Sequence, residues 1–154
     1  MKKLIPLILI TIIFPSISYS QVNKTSDVYK LTDGNYLRVG KVVRDNDWKF
    51  TTYIYKNING SDILIGKAVD GKVFAINKNG NYYEVFTGER DNKRSTIYFI
   101  KNGSLIGKGS WWSEFIYKAT GYNIWDGTTY ELAGKIDGGG ENKSLGAALL
   151  LIYN

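Results

Sequence analysis

Aromatic side chains are the most abundant material for a binding site in this sequence. Its 154 residues include 12 Tyr, 6 Phe and 4 Trp, and the tryptophans are Trp48, Trp111, Trp112 and Trp125. Neighbouring residues of a strand point to opposite faces, so a core on one side of a sheet can bury only one of Trp111 and Trp112. An exposed indole has a flat apolar face and a polar edge. The four tryptophans are therefore candidate binding residues, and burial between strands is the alternative.

Catalytic side chains are poorly represented. The chain has no His and no Cys, which excludes Ser-His-Asp and Cys-His catalysis, zinc sites built on those residues, and disulfides. Glycosidase chemistry needs two carboxylates about 5–10 Å apart. The available carboxylates are Glu84, Glu89, Asp91, Glu114, Asp126 and Glu131. Because nothing in their spacing selects a pair, we expect no catalytic residue, no cofactor and no enzyme activity.

Two further polar clusters have an ordinary explanation. Asp45-Asn46-Asp47 resembles the start of a calcium-binding loop, but Phe50 occupies the sixth position, where such a loop requires glycine. The segment 89–94 holds three basic residues, and two acidic residues offset their charge. A nucleic-acid site would need basic residues clustered with aromatic ones on one face. We therefore expect no metal site and no nucleic-acid partner.

Turn residues predict the elements that must position these side chains. Asn-Gly and Asp-Gly accept the positive φ angles of two-residue hairpin turns. Such pairs begin at Asp33, Asn59, Asp70, Asn79, Asn102 and Asp126. Between them lie short runs rich in Val, Ile, Tyr, Phe and Thr, which favour strands. The predicted strands are 36–43, 49–56, 62–69, 72–77, 82–87, 95–101, 104–109, 114–120, 122–126 and 129–136. No window of helical length shows a glycine-free apolar stripe, so we predict an all-β fold of repeated antiparallel hairpins.

A glycine recurs inside these strands at similar intervals. Gly40, Gly66, Gly107 and Gly134 are each followed by Lys, and a degenerate copy at Gly88 fills the gap. Such a period indicates a repeat in which no unit buries its apolar face alone. Glycine weakens a strand unless a bulge or a close backbone approach requires it. We predict that these glycines mark a crowded point where the hairpins converge on an axis. The alternative is that each glycine forms a turn of its own.

The Tyr-containing segments that lead to Gly-Lys resemble the four-fold beta flower proteins, bacterial domains of radially arranged hairpins. The copies are residues 29–42, 55–68, 98–108 and 122–136, and the resemblance covers about residues 29–140. It implies a flower-like arrangement of four or five hairpin petals. It brings no activity and no catalytic residue to these positions.

The N-terminus has the layout of a secretory signal peptide. A cationic start is followed by an apolar run at residues 4–14 and by small residues at Ser18 and Ser20. The alternative, a membrane anchor, would need about 20 apolar residues. We predict cleavage after Ser20, a leader at residues 21–28 and export to the periplasm, the cell surface or the medium. Cleavage removes two lysines, which lowers the formal net charge from +6 to +4.

The C-terminal segment, residues 141–154, is distinct from the repeat domain at residues 29–140. Its apolar run at 145–152 would make a helix of about 12 Å, too short to cross hydrocarbon. A membrane strand needs a closed barrel, and the preceding strands carry charges on mixed faces. We therefore predict a closing element of a protein that does not span a membrane. The alternative is an exposed tail that docks a partner.

Together these features predict an exported, non-catalytic structural or interaction module. Its partner is unknown from the sequence, and an envelope polysaccharide or another exported protein would fit. The alternative function is a glycan-binding module that uses exposed Trp and Tyr. An enzyme ranks third.

Overall fold

The computed structural model describes residues 24–45, 51–124, 127–138 and 142–153. They form ten strands and one helix: β1 (Lys24–Thr32), β2 (Asn35–Arg44), β3 (Thr52–Ile58), β4 (Ser61–Val69), β5 (Lys72–Ile76), β6 (Tyr82–Asp91), β7 (Thr96–Lys101), β8 (Ser104–Ser110), β9 (Phe115–Asn123), β10 (Gly127–Ile136) and α1 (Asn142–Tyr153). Each strand pairs antiparallel with the next, and β1 pairs with β10, so the sheet closes into a barrel. The predicted all-β class is confirmed. The signal-peptide residues 1–20 lie outside the described part of the chain.

Five hairpins make up this barrel: β1–β2, β3–β4, β5–β6, β7–β8 and β9–β10. Because neighbouring strands alternate in direction, the five hairpin turns lie at one end of the barrel, here called the tip end. The connections between hairpins lie at the opposite, base end. Asp33, Asn59 and Asn102 have φ angles of 49°, 51° and 50°, each followed by a glycine of positive φ, as the sequence pairs predict.

Strand β1 is absent from the predicted strands, the first of which, 36–43, corresponds to β2. Residues 24–28, assigned above to the leader, belong to β1, where Lys24 pairs with Arg44 and Ser26 with Val42. The small, polar Ser26 is the inward-facing residue at this point and is buried. The segment therefore lacks the apolar alternation by which a strand is recognised, although its backbone joins the sheet.

The C-terminal run is a helix packed inside the barrel, which the strand-dominated pattern did not predict. Leu145 and residues 147–152 are buried, and α1 contacts strands from all five hairpins. A helix surrounded by protein is apolar on every side and shows no stripe. The segment thus packs on the hairpins, and the alternative of an exposed apolar tail is wrong. In the described ranges no helix is long and apolar enough to cross a membrane.

The repeated glycines lie at a crowded point next to this helix. In four hairpins the register shifts by one residue immediately before the glycine, which is a β-bulge. A Cβ added at Gly40, Gly66 or Gly134 would overlap a backbone carbonyl oxygen of the adjacent strand, and one at Gly107 would lie 2.6 Å from Tyr117 O. The glycines therefore permit a close approach between strands.

Four consecutive helix residues face these four glycines. The nearest helix side chains are Leu151 for Gly40, Leu150 for Gly66, Leu149 for Gly107 and Ile152 for Gly134. Successive helix residues are rotated by about 100°, so each of the four points to a different hairpin. The axis on which the hairpins converge is α1.

Gly88 does not occupy the equivalent position, which corrects the repeat assignment. In the third hairpin the bulge is at Val85, and Phe86 stands where the others have glycine. The Phe86 ring packs edge-on against Phe99, with centroids 5.9 Å apart. On the helix, a Cβ at Gly146 would lie 3.0 Å from Val73 Cγ2 and 3.4 Å from Phe99 Cε1. The small helix residue Gly146 thus faces Val73 of the third hairpin and Phe99 of the fourth. The barrel has five hairpins, four of them with glycine at the bulge.

Candidate functional site

Exposed apolar side chains are concentrated at the tip end. Among the described residues, eleven large apolar or aromatic side chains are exposed, and ten of them lie on the hairpin halves near the turns or at the adjacent end of α1. We call this set the tip face: Tyr36, Leu37, Ile58, Ile63, Leu64, Tyr82, Tyr83, Tyr122, Ile124 and Tyr153. Leu37 is 54% exposed, Tyr83 53% and Ile124 75%. The first, second, third and fifth hairpins contribute, so the tip face borders the barrel mouth on four of its five hairpins.

Lysines line the inside of this mouth. Val28, Ile54, Phe99 and Ile116 are fully buried and point inward. Two residues further toward the turns, on the same face of each strand, lie the mouth lysines: Lys30, Lys56, Lys101 and Lys118. The third hairpin has Ala75 at this position. The mouth therefore carries one layer of positive charge inside a rim of apolar tips.

The mouth lysines surround the C-terminal end of α1. Lys30 and Lys118 line a cleft of about 200 Å³ with Ile152 and Tyr153. Lys101 lines a second cleft of about 310 Å³ with Leu150 and Tyr153. The last turn of α1 has no basic residue of its own, and cations stabilise a helix C-terminus because its carbonyl groups are partially negative. The barrel wall supplies that charge.

Two of the groups at the mouth are fixed by contacts within the chain. Lys118 forms an ion pair with Glu131, and this hydrogen-bonded carboxylate raises the pKa of Lys118. The Tyr153 hydroxyl donates a hydrogen bond to Ile106 O, and burial raises the pKa of Tyr153. Lys30 and Lys101, in contrast, are exposed.

A second concavity lies on the outer wall of the barrel. This wall groove, of about 560 Å³, is lined by Arg94, Thr96, Lys108, Gly109, Ser110, Tyr117 and Tyr130. The Lys108 ammonium lies 4.1 Å from the ring centroid of Tyr130, within cation–π range. Burial raises the pKa of Tyr130. Arg94 forms an ion pair of 2.9 Å with Asp91.

The tryptophans are divided by the structure. Trp112 is 81% exposed in the β8–β9 connection at the base end, and its backbone N–H donates to Ser110 Oγ at the edge of the wall groove. Trp111 is partly buried, and its N–H donates to Ser95 O. Trp48 and Trp125 lie outside the described residues. The two described tryptophans therefore lie near the wall groove and away from the tip face.

Four of the six carboxylates considered for catalysis have basic partners. Glu84 pairs with Lys72 at 2.8 Å, Glu114 lies 3.9 Å from Lys135, and Asp91 and Glu131 form the pairs given above. Of the clefts described here, the wall groove contains no carboxylate and the mouth clefts contain Glu131 alone. Within the described ranges no three acidic residues group as metal ligands would. Asp126, Asn46 and Asp47 lie outside them.

Neither the tip face nor the mouth lysines were predicted from the sequence. The sequence nevertheless contains a signal for three of the four mouth lysines. Strands β1, β3 and β9 share a triplet of an apolar residue, Tyr and Lys: Val28-Tyr29-Lys30, Ile54-Tyr55-Lys56 and Ile116-Tyr117-Lys118. The apolar residue and the lysine of each triplet lie on one strand face. The exposure of the tip-face residues depends on how far α1 extends along the barrel toward the tip end. The alternation of residues along the strands does not show where the helix ends.

Comparisons with protein-family models, with curated proteins and with solved structures find no match to this chain.

Proposed function

We propose that this protein is an exported, non-catalytic interaction module that binds its partner through the tip face. The observation that carries this proposal is the placement of ten of the eleven described exposed apolar side chains at one end of the barrel. Contiguous exposed apolar surface on a soluble domain marks an interaction site more often than scattered residues do. The barrel and its central helix hold the hairpin turns in fixed positions, and the tips are free to contact a partner.

The proposed export and family follow from the sequence. Cleavage after Ser20 would leave Gln21 as the first residue, and N-terminal sequencing of the mature protein tests this. Membership of the four-fold beta flower proteins is supported by the Gly-Lys step in four of five hairpins arranged around one axis. The third hairpin, with Phe86 in that position, is the departure from the pattern.

Fractionation of cells that export the protein tests the tip face. Leu37→Ser with Tyr83→Ser removes two exposed apolar side chains from two hairpins, and Trp112→Ser is the control because Trp112 is the most exposed large side chain at the base end. We expect the tip variant to move from the envelope or complex-bound fraction to the free fraction, while the control keeps the wild-type distribution. Equal distributions for all three proteins, with unchanged circular dichroism, would contradict the proposal.

A second candidate function, glycan binding, is favoured by the wall groove. Tyr117 and Tyr130 supply aromatic faces, Thr96 and Ser110 supply hydroxyl groups, and Trp112 is exposed nearby. Calorimetry with a panel of cell-wall polysaccharides tests it. Binding that is lost in Tyr130→Ala and retained in Leu37→Ser would assign the glycan to the groove. No heat with any member of the panel would exclude this function.

A further inference from the structure

We infer that the partner of the tip face is the surface of an anionic lipid bilayer. This inference rests on the proposed function and names the chemistry of the partner. It is carried by the combination, at one end of the barrel, of apolar tips on four separate hairpins with lysines enclosed between them.

The arrangement of the apolar side chains fits a broad, flat partner. Leu37, Tyr83 and Ile124 belong to the first, third and fifth hairpins, and Ile58 and Ile63 belong to the second. Because all these hairpins turn at the same end of a closed barrel, a planar surface can contact their tips at the same time. Each of these four tips offers two or three apolar or Tyr side chains, enough to enter the boundary between headgroups and acyl chains. Tyr is favoured at that boundary because its ring is apolar and its hydroxyl polar.

The charge inside the rim complements an anionic surface. Lys30 and Lys101 are exposed at the mouth, with Lys56 in the same layer. Acidic side chains near this end are held by cations of the chain itself: Asp62 by Arg38 and Lys41, Glu84 by Lys72 and Glu131 by Lys118. Asp33, in the first turn, is an exposed carboxylate that opposes the mouth lysines. Lys30 and Lys101 would lie against lipid phosphates, and each lysine near such a surface strengthens binding by about fivefold.

Vesicle flotation with the purified protein tests the inference. One set of vesicles contains phosphatidylglycerol and phosphatidylcholine in equal parts, and the other contains phosphatidylcholine alone. We expect binding to the anionic vesicles only, and weaker binding as salt is added because salt screens the lysines. Lys30→Ala with Lys101→Ala should weaken binding by about 30-fold. Lys24→Ala with Lys93→Ala, which removes two exposed lysines from the base end, should leave it unchanged. Leu37→Ser with Tyr83→Ser should also weaken binding.

Several outcomes would overturn the inference. The first is that the protein does not bind anionic vesicles, and the second is that the mouth and base lysine variants lose vesicle binding equally. The third is that the protein binds a soluble polyanion such as polyglutamate as tightly as vesicles, and that the Leu37 and Tyr83 substitutions have no effect on vesicle binding. A wild-type dimer that the tip substitutions convert to a monomer, without vesicle binding, would assign the face to a second copy instead. If the protein binds no vesicles but the tip variant is still lost from the bound fraction in cells, the lipid bilayer is not the partner and the tip face remains the proposed binding surface. If the protein binds no vesicles and the tip variant also keeps the wild-type distribution in cells, the proposed function is wrong as well.

Discussion

Arg38 on β2 donates hydrogen bonds to both carboxylate oxygens of Asp62 on β4, at 3.0 and 3.1 Å. Arg38 Nε also contacts Asp27 Oδ1 of β1 at 2.7 Å, and Asn57 donates to Asp62. One guanidinium therefore links the first hairpin to the second on the outer wall. The hydrogen bonds from Arg38 hold the pKa of Asp62 well below its usual range.

The lowered pKa of Asp62 predicts a pH-dependent contribution to stability. The stabilisation is fully present above the pKa of an unfolded Asp, about 3.9, and is lost as the pH falls through the lower pKa of the folded state. Asp62→Asn should lower the free energy of unfolding by about 1 kcal/mol at neutral pH, since the pair is partly exposed. The gap between variant and wild type should begin to narrow as the pH falls below about 4 and should continue to narrow toward the lower pKa of the folded state. Urea unfolding at several pH values measures this.

Asp33→Asn is the control for the Asp62 substitution. Asp33 lies at an exposed turn with a φ of 49°, which Asn also accepts, and the change should stay within about 0.5 kcal/mol. A gap for Asp62→Asn that does not change with pH would show that the ion pair does not stabilise the fold.

The close approach at the repeat glycines predicts that a single methyl group destabilises the barrel. A Cβ at Gly66 overlaps Phe74 O, a backbone atom that can move only if β5 moves, and lies 3.3 Å from Leu150 Cδ2. Gly66→Ala should therefore lower the free energy of unfolding by about 1–3 kcal/mol. At Gly121 the nearest atom to a Cβ is Thr129 Oγ1 at 3.4 Å, an ordinary contact. Gly121→Ala should change it little, and equal effects of the two variants in chemical denaturation would refute the steric account.

The third hairpin allows the opposite test, in which the repeat pattern is restored. Phe86→Gly makes this hairpin match the other four, but it deletes a buried ring that packs on Phe99. We expect a loss of about 3–5 kcal/mol, measured by thermal and urea unfolding. Tyr83→Ala, on an exposed position of the same strand, should cost less than about 0.5 kcal/mol. A neutral or stabilising Phe86→Gly would show that the helix can refill the space.

The hairpins and their convergence could be predicted from the sequence because both depend on local chemistry. Asn-Gly and Asp-Gly fix the turns, and Gly66 stands in a strand only because a neighbouring backbone excludes any side chain. Gly88 was placed wrongly because spacing along the chain does not show register. The bulge at Val85 puts Phe86, two residues earlier, in the equivalent position.

The helix and the tip face could not be predicted because they depend on tertiary structure. The run at 145–152 is short, apolar on all sides and contains Gly146, so its period does not distinguish a strand from a buried helix. Leu37 and Ile63 occupy alternating strand positions as core residues do, but they are exposed. The reason is that α1 ends before it reaches their level in the barrel. Likewise, no local sequence pattern predicts that β1 pairs with β10 to close the barrel.

Cysteine labelling tests most directly whether the tip face is the bound surface. The chain has no Cys, so Leu37→Cys at the tip end and Lys93→Cys at the base end each provide a single thiol for maleimide. We expect Leu37→Cys to react much more slowly in the envelope or complex-bound protein than in the purified protein, and Lys93→Cys to react equally in both. Equal reactivity of Leu37→Cys in the two states, or protection of Lys93→Cys alone, would contradict the account.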